Sequence, residues 1–346
     1  MTQKRLRWVD VAKGILILLV VLSHFSGITK NLEINHAGVG DVKAINFLFT
    51  HYYMAAFFVL TGYTSNFKKR FSEFFVSSFK SLIIPAFCFS ILYSVLLFFL
   101  FGDEKYLTDI VGIKFWYTGF KFYWFLNALF LSRICYWLLY NYVGSDVMKS
   151  FILLALMLLG IYISSSYRDF PNGATHNNPF FVLHFMRMAF FLWIGQMYRK
   201  YEDRLTYGWM ALGGAICVLF TIVFKIGGIV IPSANFTINF DFSIYGVSEF
   251  LLFTITGSGL IICISKWIRK NPLLEYFGRN SLIVYVTHFW VIRYLYYYTQ
   301  PVLEWSDSRI LGDFYTVCVI ALSYMICYFL IRLFEKRPFN VMLGKF

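Results

Sequence analysis

Three ionisable side chains stand inside the first long apolar stretch of the chain. It runs WVDVAKGILILLVVLSHFSGIT, from Trp8 to Thr29, and carries Asp10, Lys13 and His24. A charged group at the centre of a membrane-crossing helix costs roughly 2.5 to 3.5 kcal/mol. On a helix each residue turns about 100°, so Lys13 and His24, separated by eleven positions, fall within about 20° of one another and three turns apart. Asp10 sits three residues before Lys13 on the same face. Acid, base and imidazole thus form one stripe, which must face protein or water rather than lipid. An imidazole suits proton abstraction near neutrality, because its ordinary pKa is about 6.5. The alternative for Asp10 and Lys13 is a neutralised pair with a structural role only.

The rest of the chain must position that stripe. Its 346 residues are 59% hydrophobic, 22% aromatic and only 14% charged, where a soluble domain carries about 25% charged residues. We expect an all-α, polytopic integral membrane protein, one domain over residues 1–346. Runs near twenty apolar residues give ten spans: Trp8–Thr29, Ile45–Thr64, Phe74–Phe101, Phe115–Tyr142, Met148–Ser164, Pro179–Tyr198, Tyr207–Lys225, Ser243–Trp267, Leu274–Tyr297 and Leu311–Phe334. The fourth is long enough to begin with an interfacial or re-entrant piece around Trp116–Phe122. The first is expected to remain as a span, since Ser23–Gly27 holds His and Phe in place of a clear signal-peptide cleavage site.

The net charge of +13 is concentrated in short loops, which suits membrane orientation and anionic lipid headgroups better than nucleic acid. With the N-terminus inside, 18 Lys and Arg fall in inner segments against 7 in outer loops. This asymmetry predicts both termini in the cytoplasm. The six cysteines all lie in apolar stretches with no CxxC pair and read as small buried hydrophobes. No HExxH signals a metal, and no G-x-S-x-G elbow signals an acyl-serine.

Lys13 followed by ten residues and His24, within DVAKGI and VVLSH, resembles the Arg/Lys-x10-His signature of the membrane acyltransferase-3 family, close to the fucose 4-O-acetylase-like sugar acetyltransferases. HYYMAAFFVLTGY from His51 resembles the family's FHMPLFFFLSGY, with Tyr53 for the usual His and Ala55 for the usual Pro. FKKRFSEFFVSSFKSLIIP resembles its basic segment before a Leu-Ile-Pro run. WFLNALF from Trp124 resembles its Trp-Phe-Leu motif. Closest of all is NPLLEYFGRNSLIVYVTHFW, which resembles the late Gly-x-Asn-Ser-Leu segment through Gly278, Asn280, Ser281, Leu282, Tyr285 and His288.

The resemblance implies a multi-pass protein of the inner or plasma membrane that moves an acyl group from cytoplasmic acyl-CoA, with acetyl-CoA the expected donor, to a hydroxyl of an envelope or lipid-linked sugar, without a metal. His24 is then the base, with Asp10 and Lys13 as further catalytic candidates on the same face. Lys13, Lys80 and Arg70 are the donor-binding candidates. Topology is the alternative reading of the Lys68–Arg70 turn, and snorkelling that of Lys80. Trp124, Arg187, Glu249 and His288 are the acceptor-binding candidates. His184 and Arg187 share a face of the sixth span, and Glu249 enters the eighth from outside as a partner for Arg187. The polar loop Ser164–Asn178 (Tyr167, Arg168, Asp169, Asn172, His176) and the loop Gly227–Phe242 form the expected lip of the acceptor site. A transporter or flippase would also show ten spans and intramembrane charges, and inverted repeats would favour it; none are evident.

Overall fold

The computed structural model describes residues 6–31, 49, 52–117, 120, 123–166, 178–205, 207–226, 244–305 and 308–345. Among these residues there is helix and no strand, as an apolar chain in lipid requires: a helix satisfies its own backbone hydrogen bonds. The principal helices are α1 (Arg7–Asn31), α2 (Tyr53–Thr64), α3 (Phe71–Phe101), α4 (Trp124–Tyr142), α5 (Asp146–Ser166), α6 (Val182–Tyr201), α7 (Tyr207–Ile226), α8 (Ile244–Ile268), the short α9 (Pro272–Arg279), α10 (Ser281–Thr299) and α11 (Arg309–Phe334). Six of the described helices are long and apolar enough to cross a membrane: those starting at Arg7, Phe71, Asp146, Pro179, Gly246 and Arg309. Tyr53–Thr64 and Tyr207–Val223 are shorter apolar helices.

Three segments break where the sequence alone suggested one run. The stretch before α4 is a separate short helix, Ile113–Tyr117, followed by a left-handed turn at Phe120 (φ 68°). The ninth span divides at Asn280, with α9 before it and α10 after. Asn271 starts α9 as its N-cap, the side chain accepting from the Leu274 backbone N–H at 3.0 Å, which satisfies an otherwise orphan donor. In α3, Phe79–Ile83 winds as a π-helix directly before Ile84 and Pro85. A proline ring clashes with the carbonyl four residues back and leaves it without a donor, and a widened turn absorbs both faults.

α1 is the axis of the bundle. Of its apolar window 56% is buried, against 28% for α11. It packs on α9, α8, α10 and α2. Two glycines make the closest of these approaches possible: a Cβ on Gly14 would collide with the Leu274 carbonyl, and one on Gly278 with the Asp10 carbonyl. A second reciprocal crossing joins α2 to α6, where Gly62 lies against the Leu192 carbonyl and Gly195 against that of Val59. Small residues at such crossings let membrane helices touch through their backbones. α2 is buried on every side from Tyr53 to Leu60, whereas α7 and α11 turn Leu219, Val223, Phe314 and Phe329 outward.

Side-chain contacts gather basic segments at one end of the bundle. There Lys266 of α8 bonds Glu202, which also accepts from Tyr63 Oη at 2.6 Å. The Lys266 ammonium lies 4.9 Å from the Trp8 ring and 4.7 Å from that of Tyr207. Asp146 pairs with Lys200 at 2.6 Å and Lys149 at 3.1 Å. Trp137 Nε1 donates to the Lys69 carbonyl at 2.9 Å.

Candidate active site

His24 lies five turns above Arg7, on the half of α1 away from the basic end. Its Nδ1 is 2.9 Å from the Val20 carbonyl oxygen. A carbonyl can only accept, so Nδ1 carries the proton and the neutral ring keeps a bare lone pair on Nε2. Ser23 Oγ donates to the same carbonyl at 2.8 Å and lies 3.0 Å from Tyr53 Oη. The family's usual His is thus replaced by a tyrosine whose hydroxyl braces the residue next to His24.

His288 comes from α10 to meet it. The two imidazole centroids are 4.8 Å apart at 73°. His288 repeats the same local device: Nδ1 is 3.0 Å from the Val284 carbonyl. Its buried Nε2 has no hydrogen-bond partner among the described residues. Two imidazoles with both Nδ1 atoms engaged and both rings in edge contact form one compact basic centre. Phe289 packs 5.6 Å from His24 and 5.7 Å from Tyr93.

Below this pair, toward the basic end, lies a cavity of about 620 Å³. It is walled by Lys13 and Ile17 of α1, by Thr61 to Asn66 after the buried run of α2, by α3, and by α4 and α10. Three cations line it, Lys13, Lys69 and Arg133, and no carboxylate does. Serine and threonine hydroxyls supply most of its remaining polarity. Its inner end is Tyr285, whose ring is 6.0 Å from that of His288. A polar, cationic chamber therefore runs from the turn at Ser65 to one aromatic ring short of the imidazole pair.

The other predicted residues are distributed as follows. Asp10 is buried in the first turn of α1 against α9, where a carboxylate is favoured by the helix dipole. Lys13 lines the cavity. Lys80 and Arg70 are exposed, and neither lines it; the backbone of Lys80 packs on Gly344. The cations in their place are Lys69 and Arg133. Arg133 has a buried Nε with no hydrogen-bond partner among the described residues, and its guanidinium is 5.0 Å from the Phe74 ring. The signal for Arg133 is in the sequence: a cation inside a span, one turn after Leu129 of the WFLNALF motif and on the same face.

The acceptor candidates separate. His288 joins His24. Trp124 instead packs 4.8 Å from His184, whose Nδ1 is 2.9 Å from Asn178 Nδ2, one turn before the buried Arg187. Glu249 is buried on α8 with Oε1 lacking a hydrogen-bond partner among the described residues. The two helices meet through Phe191 and Phe250, and the described residues show no Arg187–Glu249 bond. His51, His176 and the polar residues from Tyr167 to Asn172, together with the loop from Gly227, lie outside the described residues.

No curated protein and no solved structure matches the chain. Among protein families, the acyltransferase-3 model, described as an acyltransferase domain, matches residues 6–332. That match takes in α1 with His24, the whole lining of the cavity and α10 with His288, so the chain belongs to the membrane acyltransferase-3 family and is an acyltransferase.

Proposed function

We propose that this protein is an O-acyltransferase that moves an acetyl group from cytoplasmic acetyl-CoA to a hydroxyl of a cell-envelope or lipid-linked sugar. The observation that carries this reading is the cavity that runs from the basic end to Tyr285, one aromatic ring short of the His24–His288 pair, with three cations and no carboxylate in its wall. This reading includes an inner-membrane location, ten passes and cytoplasmic termini, the last two supported by the loop asymmetry and by the gathering of basic segments at one end.

In this reading the CoA arm lies in the cavity with its anionic part near Lys69, Lys13 and Arg133. Its thioester is presented beyond Tyr285. His24 Nε2 takes the proton of the acceptor hydroxyl as the oxygen attacks the thioester carbonyl. The carbon–sulfur bond then breaks, the ester remains on the sugar, and the proton on His24 passes to the leaving sulfur. His288 Nε2 accepts a hydrogen bond from the acceptor and holds it against His24. His288 is buried, and the rings of Phe289 and Tyr285 pack against the pair, a setting that strengthens each polar contact.

Isothermal titration of the purified protein with acetyl-CoA tests the donor half. Wild type should bind, Lys13→Ala should bind more weakly with an unchanged melting temperature, and equal affinities would remove Lys13 from the donor site. Cysteine labelling in sealed cells tests orientation: the 68–70 turn and the C-terminus should be accessible only from inside, and outside labelling of either would remove the cytoplasmic route.

A further inference from the structure

A second cavity, of about 930 Å³, opens beside the first at the basic end. Ser65 and Asn66 line both, so the two chambers share a wall at the turn after α2. The second chamber holds Lys68, Lys149, Arg199 and Lys200 against a single carboxylate, Asp146. Asp146 is bonded to Lys149 and Lys200. Arg199 Nη1 reaches the carbonyls of Tyr63 and Ser65, each at 3.4 Å, and so stands at the junction itself. Lys149 is buried at 6% exposure, its ammonium 5.3 Å from the Tyr140 ring. Tyr136 and Tyr140 give this chamber aromatic walls.

Two features separate this from cations that merely mark the inner side of a membrane. Orientation needs only charge in a loop, and a solvated loop costs nothing to charge; here one lysine is buried and four cations surround a concave space. Gathering cations without enough carboxylates also raises their mutual repulsion, which a bound polyanion relieves. The chamber is contiguous with a site that takes a thioester arm, and its chemistry is different: five charged side chains against three, and fewer hydroxyls.

We propose that the second cavity binds the adenosine 3′-phosphate end of the acyl-CoA donor. Lys68 and Lys200 face the 3′-phosphate, the tyrosines flank the purine, and Arg199 and Lys69 flank the diphosphate where the chambers join. From that junction the diphosphate reaches Lys13 and Arg133 of the first cavity, and the pantetheine arm runs up it. This rests on the acyl-CoA reading above and adds to it a nucleotide subsite with its own residues.

The test compares three ligands by isothermal titration on the full-length protein: CoA, 3′-dephospho-CoA and acetyl-pantetheine. Wild type should bind CoA at least about tenfold more tightly than 3′-dephospho-CoA, the effect of one or two charge-assisted phosphate contacts. The double variant Lys68→Gln, Lys200→Gln changes two exposed side chains. It should bring that ratio close to one and leave acetyl-pantetheine binding as in wild type. Equal affinity of wild type for CoA and 3′-dephospho-CoA overturns the subsite while leaving the donor cavity in place, because both ligands still bind. A double variant that keeps the wild-type ratio also overturns it, as does equal weakening of all three ligands. Absence of binding by any of the three to folded wild type overturns the donor reading and the subsite with it. Repeating the CoA titration with phosphatidylglycerol added to the detergent separates an anionic-lipid site: a CoA preference that lipid abolishes at low mole fraction assigns the cations to headgroups and overturns the proposal.

Discussion

Replacing Arg133 by methionine separates a ligand-binding cation from a structural one by sign. Arg133 has a half-buried side chain, a buried Nε without a hydrogen-bond partner, and like charges Lys13 and Lys69 in the same wall. In the ligand-free protein it contributes one favourable contact, the guanidinium 5.0 Å from the Phe74 ring, worth about 0.5–2 kcal/mol. Against this stand desolvation of an unsatisfied donor, about 1–3 kcal/mol, and repulsion from the two lysines. Methionine fills similar space and retains the contact with Phe74 through its sulfur. Arg133→Met should therefore leave the melting temperature unchanged or raise it by a few degrees. Donor affinity should move the other way. Loss of a hydrogen bond to a charged phosphate costs about 1.5–3 kcal/mol, which is roughly 10- to 150-fold in Kd. The salt dependence of binding should also become shallower. Differential scanning fluorimetry and titration with acetyl-CoA on the same preparation read both. A lower melting temperature with unchanged affinity would refute the reasoning and make Arg133 a packing residue.

Tyr53→Phe removes the hydroxyl beside Ser23 and should slow transfer by about 2- to 12-fold, the value of one ordinary hydrogen bond, with acetyl-CoA affinity unchanged; a steady-state assay with varied donor checks it. Gly278→Val puts a side chain into the Asp10 carbonyl, an overpacking that costs more than the usual 1–3 kcal/mol because backbone cannot yield, and should leave little folded protein by fluorescence-detected size exclusion. Gly208→Ala is its control: a Cβ there meets nothing, and the melting temperature should stay or rise. Lys266→Met leaves the Glu202 carboxylate without its cation, at side-chain exposures of 11% and 26% for the pair, and should lower the melting temperature by an amount set by about 1–3 kcal/mol once discounted for that partial exposure.

The first and ninth regions carried most of what was legible. Lys13-x10-His24 declared one face of α1, and the late Gly-x-Asn-Ser-Leu segment placed His288 in a span; their meeting at 4.8 Å is a tertiary fact that neither spacing contains. The helical class followed from hydropathy alone, because lipid admits few alternatives. Breaks within spans were harder to read. Phe120 takes a left-handed turn without being a glycine, and Asn280 breaks its run in the polar stretch Gly278 to Ser281, a turn signal outweighed by the apolar residues on either side. The choice among basic residues is not legible in the sequence for a related reason. Lys68, Lys69 and Arg70 are equivalent by composition, and only the direction of the turn after α2 decides that Lys69 reaches the first cavity, Lys68 the second, and Arg70 neither.

The central claim is that His24 Nε2 is the base of a direct transfer. Transfer of radiolabel from acetyl-CoA to membrane glycan, measured for wild type, His24→Ala and His24→Gln in the same lipid, tests it most directly. The account predicts labelled glycan with wild type, and a loss of about 10²- to 10⁴-fold with both variants at unchanged melting temperature and acetyl-CoA affinity. The amide of His24→Gln keeps a hydrogen bond to the hydroxyl but cannot take its proton. Wild-type transfer by His24→Ala would contradict the account.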